Sequence, residues 1–515
     1  MDSGMQNQDN IIYIDRDMNH LSDEELDQIS HLFSENYGIY SKKASVDKRG
    51  RTVHMSAQYY RNHYMGSHGY RIGLAVDHGS NSRIVGHAIY LNRQFGENVK
   101  ISMVIQLVVD RAYRGRGIAT SLLSSIWGFT NYTAWGLATS NPCTVKVLEA
   151  ATCRKCTPSV IRENMEIIQP LKDNVDFLGE IRIDDTQSIV DSQFFVDHSS
   201  IPGNIEKLYG DRWRLGTLAE GEEWLAFTFQ SQKPEDEEDY KHLRKLLEFS
   251  EKRLKSAYGR MNWESQGWQK FASAEVNYIL NQIGNPSEIS ICDFGCGRGR
   301  HCTKFANRGH QVVGVDFVPD NIAYAKEHCS EKSERYLCGD CRTIDLGVRF
   351  DFITCLYDVI GSFPDDTDNE AIIQNIYRHL KPGGHAAISV MNMELTRKRA
   401  KHILDDERNL AEELWKLEPS KTMQQTGDIF EPEYYLADCS KNIVYRKEQF
   451  ESDGLMPAEY VIRDRRYTGE ELRTLLNEAG FVVKNLVYTR AGFLDNRNSS
   501  DDKTKEILVI VQKPA

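Results

Sequence analysis

The chain has 515 residues, with 63 lysines and arginines against 75 aspartates and glutamates, so it is too long for one ordinary core and carries a net charge of −12. That acidic balance offers no electrostatic footprint for a phosphate backbone, which makes nucleic acid an unlikely partner; no run of about 18 apolar residues is present to cross a membrane. Met1–Asp17 lacks the basic start and apolar stretch of a secretory signal, so cytoplasmic residence is expected. Eleven cysteines in such a chain read as small buried side chains, and the pairs Cys153/Cys156 and Cys338/Cys341 stand too far apart to predict a shared metal.

In chain order, Leu21-Ser-Asp-Glu-Glu25 predicts a helix start, with Ser22 as cap and Glu25 at the third helical position, running to about Tyr37. Ile84 to Leu91 and Ile101 to Val109 are rich in β-branched residues and predict two strands joined through the turn Phe95-Gly-Glu-Asn98. The second strand runs into Tyr113-Arg-Gly-Arg-Gly-Ile-Ala-Thr120, after which Leu122, Leu123 and Ile126 continue as a helix. Ala134 to Thr139 reads as the next strand and Ser140 to Ala151 as the next helix.

With Arg114, Gly117 and Ala119 at its defining positions, this strand, glycine turn and helix resembles motif A of the GNAT acyltransferases, and Asn141 falls where their motif B carries asparagine. The resemblance implies a GNAT-like α+β domain that takes acetyl-CoA or another acyl-CoA. Backbone amides of Arg114, Gly115, Arg116, Gly117, Ile118 and Ala119 would cradle the pyrophosphate at the helix start. Strand amides near Leu107 and Val109 would pair with the pantetheine arm. One position departs from the family: Leu148 stands where a tyrosine commonly protonates the departing thiolate, and Thr152-Cys153 replaces the usual Gly-Phe. Leucine has no proton to give, so another group or water does so, or the thioester is bound without turnover.

The stretch from Ile161 to Gln232 is expected to add strands to this fold, and within it Asp197 and His198 are either an acid and base or a hydrogen-bonded structural pair. The run Lys233-Pro-Glu-Asp-Glu-Glu-Asp239 ends the strand-like Trp224 to Phe229 and marks a boundary. Leu243, Leu246, Leu247 and Leu254 then recur at helical spacing to about Tyr258, predicting an amphipathic helix that packs on the second domain.

Ile289 to Arg300 reads ISICDFGCGRGR, an apolar strand ending in an acid and followed by Gly295, Gly297 and Gly299 before a helix from about His301 to Arg308. Glycines at alternate positions let backbone approach a ligand that the helix amides face. Gln311 to Asp316 is a second strand ending in an acid, placed for ribose hydroxyls, with Phe317 beside it for adenine; Tyr336 to Asp340 ends a third strand in another acid. Phe350 to Asp358 and the segment Leu380-Lys-Pro-Gly-Gly to Val390 supply the fourth and fifth strands of a parallel sheet.

Across about Ser256 to Ala515 these ordered motifs resemble the class I S-adenosylmethionine (SAM)-dependent methyltransferases of the small-molecule type. The resemblance implies a Rossmann-like seven-stranded sheet closed by an antiparallel pair, which Gly480 to Val487 and Glu506 to Val511 fit. Asp293 with Gly295, Gly297 and Gly299 would face the methionine part of SAM, Asp316 the ribose, and Asp340 with Cys341 the adenine; Phe317 and Leu356 complete the cofactor set. Tyr357 and Asp358, with Ser362, are the candidates for orienting or deprotonating an acceptor. Tyr258, Trp263 and Trp268 are either a lid over SAM or plain core.

The sequence Leu356-Tyr357-Asp358-Val359 replaces the pattern that clamps a flipped base, which disfavours base amino methylation. Between Met391 and Tyr467 lies a long insertion bearing Tyr434, Tyr435, Tyr445 and Arg463-Asp-Arg-Arg466, whose arginines bind an acceptor's carboxylate or phosphate or are solvated surface charge. The reading is a bifunctional fusion: a GNAT-like domain at 10–232, a charged linker helix at 233–255 and a methyltransferase domain at 256–515, acting on a small molecule. An RNA- or protein-modifying enzyme, and a methyltransferase governed by a non-catalytic acyl-CoA-binding domain, stand beside it.

Overall fold

The computed structural model describes residues 11–515 apart from 67–68, 81, 174, 176–177, 260, 330–332, 421–428, 450–458 and 491–492. The chain divides into two compact units, Met1–Ser250 with Glu451–Glu459, and Glu251–Phe450 with Tyr460–Ala515. Among the described residues no helix is long and apolar enough to cross a membrane.

The first unit is built on an eight-stranded sheet: β1 (Ile11–Asp17), β2 (Tyr70–Asp77), β3 (Arg83–Phe95), β4 (Val99–Val109), β5 (Ala134–Thr139), β6 (Ile181–Ile183), β7 (Ser188–Phe194) and β8 (Gly221–Phe229), in the order β1-β2-β3-β4-β5-β8-β7-β6. The hairpin expected from the β-branched runs is β3 and β4, antiparallel from Gly86–Val109 to Phe95–Val99. The expected additional strands are β6, β7 and β8, joined to the rest by antiparallel pairing of β8 with β5. Helix Asp23–Asn36 carries the predicted reciprocal cap between Ser22 and Glu25. Its Leu26, Ile29 and Phe33 pack with Ile72, Leu74 and Ile89 of the sheet in one buried cluster.

Helix Glu237–Gly259 belongs to the first unit as far as Ser250 and to the second from Glu251, which pairs with Arg463. Its start is fastened within the first unit, where Lys155 pairs with the fully buried Asp239 at 2.9 Å and Lys146 with Glu238 at 2.8 Å. Phe249 meets Tyr13 of β1 edge to face. The acids that marked a boundary in the sequence are therefore anchors for lysines of the preceding fold.

The second unit has β9 (Ser290–Phe294), β10 (Gln311–Asp316), β11 (Glu334–Cys338), β12 (Phe350–Cys355), β13 (Leu380–Met391), β14 (His402–Ile403), β15 (Tyr435–Asp438), β16 (Ile443–Gln449), β17 (Glu459–Arg465), β18 (Val482–Arg490), β19 (Phe493–Arg497) and β20 (Glu506–Gln512). Its main sheet runs β11-β10-β9-β12-β13-β20-β18-β19. The first five of these are parallel, and β20 is antiparallel to both β13 and β18. Eight strands replace the seven expected, because the chain after β18 turns back and β19 pairs along its edge. The third strand ends at Cys338, two residues before the expected Asp340.

Helices cover both faces, as buried parallel strands require. Ile372, Ile376, Leu472 and Leu476 fill one side, and Val276, Ile279, Phe305 and Ile322 the other. The insertion forms its own four-stranded sheet, β14-β15-β16-β17.

Candidate functional sites

In the first unit, β4 and β5 run parallel, but their ladder covers only Ile101–Ala134 to Val104–Leu137. Just beyond it, β4 carries an extra residue where Ile89 and Tyr90 of β3 face Gln106 and Val104. The two strands thus part, and Leu107 and Val109 lie on the stretch of β4 that β5 no longer pairs. The following turn holds Gly115 and Gly117 at φ +76° and +78°, and a Cβ added at either would meet nothing within 4 Å. Gly117 is the N-cap of helix Ile118–Trp127, and no side-chain hydrogen bond caps the helix start, which leaves its first amides for another acceptor.

Arg114 holds this turn from below, donating through Nε to Val109 O at 3.1 Å and through Nη2 to Asn36 O at 2.7 Å. The Arg116 guanidinium lies over the Tyr113 ring. Asn141 caps helix Pro142–Thr152 by accepting from Cys143 N at 3.0 Å. Leu148 is completely buried, and Cys153 takes the left-handed conformation that ends the helix. Asp197 accepts from the amide and hydroxyl of Ser199, which hold its carboxyl below the usual range, and neither ring nitrogen of His198 has a hydrogen-bond partner among the described residues. The two therefore form no hydrogen-bonded pair.

A polar group that the sequence pattern did not single out lies beside the strand parting. Gln106 Oε1 accepts from Tyr60 Oη at 2.8 Å and lies 2.7 Å from His87 Nε2, and burial pushes the His87 imidazole down to about 4. Its members come from a helix and two strands far apart in sequence, where each looks like ordinary core.

In the second unit the glycine loop after β9 is folded against β10 by Gly295 and Cys296 amides donating to Val315 O at 2.8 and 2.9 Å. Gly295, Gly297 and Gly299 all have positive φ, from +54° to +82°. An added Cβ would stand 2.2 Å from Val359 Cγ2 at Gly295, 2.7 Å from Trp263 at Gly297 and 2.5 Å from Tyr336 Oη at Gly299. The loop is therefore closed to any other residue on both conformational and steric grounds.

Asp293 is buried and accepts from Thr354 Oγ1 at 2.6 Å; burial raises its carboxyl above the usual range. Asp316 accepts from Gly297 N and Val318 N, each at 2.9 Å, and burial raises it likewise. Gly339 N donates to Asp316 O at 2.9 Å, which brings the loop after β11 to the same place, and the buried Cys341 thiol bonds to the Gly295 backbone. Asp293, the three glycines, Asp316 and Cys341 thus converge. Phe317 is exposed beside them, Leu356 is buried, and Asp340 pairs with Arg342 at 2.6 Å.

Two arginines of the loop are each held between aromatic rings. Arg298 lies 5.4 Å from the Trp263 centroid and 4.4 Å from that of Tyr324; Arg300 lies 4.8 Å from Trp268 and 4.2 Å from Tyr357. Trp263 and Trp268 also meet edge to face. Trp263 packs against Gly297 of the loop and Trp268 against Arg300; the side chain of Tyr258 falls outside the described residues.

After β12, Tyr357 and Asp358 both adopt left-handed backbone, at φ +62° and +64°. Such conformations cost non-glycine residues on the order of 1–3 kcal/mol each and mark places where side-chain direction is imposed by the surroundings. Tyr357 N donates to Ser389 Oγ at 2.8 Å and its hydroxyl to Glu275 Oε1. Glu275 also receives Arg300 Nη1 and His301 Nε2, both at 2.8 Å; despite burial, the His301 hydrogen bond and the Arg300 charge hold it down to about 2. Asp358 turns toward Asp464, Arg466 and Arg446, its Oδ1 without a hydrogen-bond partner among the described residues, and burial pushes its carboxyl well above the usual range. Ser362 Oγ donates to the Asp358 carbonyl.

A pocket opens beside Tyr357, with polar walls from Glu275, Tyr357, Ser389, Thr489 and Glu506. Glu275 and Glu506 were not among the residues expected from the sequence. In the insertion, Arg465 and Arg466 are buried rather than solvated. Arg466 donates to Thr396 Oγ1 at 2.8 Å and Ile429 O at 2.9 Å and lies over the Phe430 ring, while Arg465 pairs with Asp366 at 3.0 Å.

Residues 291–384 match the family model described as a methyltransferase domain, and residues 27–126 the model of the acetyltransferase (GNAT) family. A ubiquinone biosynthesis O-methyltransferase of Leptothrix cholodnii is 27% identical over 122 residues, 23% of this chain and 50% of that protein. One of the same name from a Bradyrhizobium species is 36% identical over 108 residues, 21% of this chain and 41% of that protein. A dTDP-4-amino-2,3,4,6-tetradeoxy-D-glucose N,N-dimethyltransferase of Saccharopolyspora spinosa is 31% identical over 121 residues, 24% of this chain and 47% of that protein. The chain spans half or less of the length of each of these relatives.

Proposed function

We propose, for a chain that joins a GNAT-family domain to a class I SAM-dependent methyltransferase domain, that the second domain methylates a nitrogen or oxygen of a small metabolite and that the first binds acetyl-CoA or another acyl-CoA in the same pathway. The observation that carries the methyltransferase reading is the convergence of Asp293, three left-handed glycines and Asp316 into one cradle, with Gly297 N donating to the Asp316 carboxylate. A bound SAM would supply an electrophilic methyl group to the acceptor's lone pair. In our assignment Gly295 to Gly299 and Asp293 hold its methionine part, Asp316 its ribose, and Phe317, Asp340, Cys341 and Leu356 surround its adenine. A restriction to small acceptors is in keeping with the quinone-pathway and amino-sugar methyltransferases named among the relatives.

For the first domain, the unpaired stretch of β4 at Leu107 and Val109 offers the edge for a pantetheine arm, and the turn from Arg114 to Ala119 offers the amides for a pyrophosphate. Leu148, buried and without a proton, leaves acid catalysis to another group or to water, and also favours a second reading in which the thioester is bound as a signal. Domain limits of 10–232, 233–255 and 256–515 contain both family matches.

Calorimetry on the full chain tests these assignments. SAM and acetyl-CoA should each bind; Asp316→Ala should weaken SAM at least tenfold and leave acetyl-CoA unchanged, while Arg114→Ala should do the reverse. No heat from SAM would refute the methyltransferase reading. Release of CoA from acetyl-CoA with a panel of small amines decides between acyl transfer and sensing.

A further inference from the structure

The pocket beside Tyr357 is assembled from five separate elements. Glu275 comes from helix Ala272–Gln282, Tyr357 from the strained turn after β12, Ser389 from β13, Thr489 from β18 and Glu506 from the first position of β20. Ile279, Leu356 and Leu508 form its apolar wall. Its two carboxylates are not equivalent. Glu275 is fully engaged by Arg300, His301 and Tyr357, so its negative charge is fixed in place. Glu506, only 6% exposed, has Ser389 as hydrogen-bonding neighbour and, among the described residues, no ion pair within 4 Å.

Resting on the methyltransferase reading, we infer that this pocket receives the amino group of a cationic amine acceptor, and that Glu506 takes the proton which frees the nitrogen lone pair. The chemistry of the walls selects that class. The residues lining the pocket include two carboxylates and no cation, one carboxylate is left to accept a proton, and the apolar wall suits the alkyl groups of an amine. In the proton step the N–H bond of the ammonium breaks, its electron pair stays on nitrogen, and an O–H bond forms on Glu506; the proton then leaves to solvent. The groups facing Glu506 tune this step. Burial and the negative charge of Glu275 push it up to about 7, while the Ser389 hydrogen bond and the charges of Arg300 and Lys505 act in the opposite direction; Tyr357 and Asp358 share its field. Glu506 is thus poised to be ionised or protonated near neutral pH, as a proton acceptor must be.

The test uses the full chain saturated with S-adenosylhomocysteine and three small probes of similar shape, isobutylamine hydrochloride, isobutanol and isobutyrate, followed by ligand-observed NMR. Only the ammonium probe should bind saturably, and its affinity should rise about tenfold from pH 6 to pH 8 as Glu506 ionises, because binding follows the competent fraction. Glu506→Gln should abolish that rise while leaving S-adenosylhomocysteine affinity intact. Ser389→Ala provides a second variant, which should move the midpoint of the rise to higher pH. Equal binding of the neutral or anionic probe, no binding of the cation, or an unchanged pH dependence in Glu506→Gln would overturn the inference. Failure of S-adenosylhomocysteine itself to bind would instead overturn the methyltransferase reading beneath it.

Discussion

Gly295→Ala puts the geometry of the glycine loop to a quantitative test. The new methyl group would stand 2.2 Å from Val359 Cγ2 and 3.1 Å from its Cγ1, on a backbone at φ +75°. The left-handed conformation alone costs an alanine about 1–2 kcal/mol. Overpacking against a β-branched neighbour adds about 1–3 kcal/mol, because Val359 cannot rotate away freely. The sum, about 2–5 kcal/mol, corresponds to a fall in melting temperature of roughly 4–20 °C for a domain of this size. Gly347→Ala is the control: it has a similar φ of +66° but nothing within 4 Å of the added carbon, so it carries only the conformational part. Differential scanning fluorimetry compares the two, and calorimetry with SAM reads the loop directly. If Gly295→Ala melts with Gly347→Ala and binds SAM as the wild type does, the loop is not confined as described.

The pocket carboxylate has its own signature in stability. Glu506 ionises near 4.5 when unfolded and at about 7 in the fold, so the native state should lose about 3 kcal/mol relative to the unfolded state as pH rises between those values. Glu506→Gln should flatten that part of a denaturant-derived stability curve, and an unaltered curve would count against the buried carboxyl. Lys155→Ala leaves the buried Asp239 without its cation and should destabilise the first unit by about 3–5 kcal/mol, read as a lower urea midpoint. A shift below 1 kcal/mol would show that the helix start is not anchored there.

Where a run of side chains repeats at short range, the fold was legible. The β-branched runs of β3 and β4, the reciprocal cap of Ser22 and Glu25, and the strand-ending acids Asp293 and Asp316 all lie where local pattern places them. Patterning failed where the decisive partner is remote. Arg465 and Arg466 read as ligands for an acceptor's anion or as surface charge, yet Asp366, Thr396 and Ile429 accept their hydrogen bonds. Strand β19 is a short edge element whose partner β18 alone defines it. Glu275 and Glu506 lie 231 residues apart and meet only because β20 inserts between β13 and β18, a topological fact that neither position announces.

The aromatic clamps on Arg298 and Arg300 bear on how this domain can be dissected. Two of the four rings, together with Glu275, precede β9, and Ser389, Thr489 and Glu506 follow residue 384. A fragment trimmed to the span that sequence comparison recognises would keep the glycine loop with Asp293 and Asp316 but discard Trp263 and Trp268 and four of the polar residues that line the pocket. On the assignment proposed above, cofactor cradle and acceptor pocket are encoded in different stretches of chain, so the second can diverge while the first stands still.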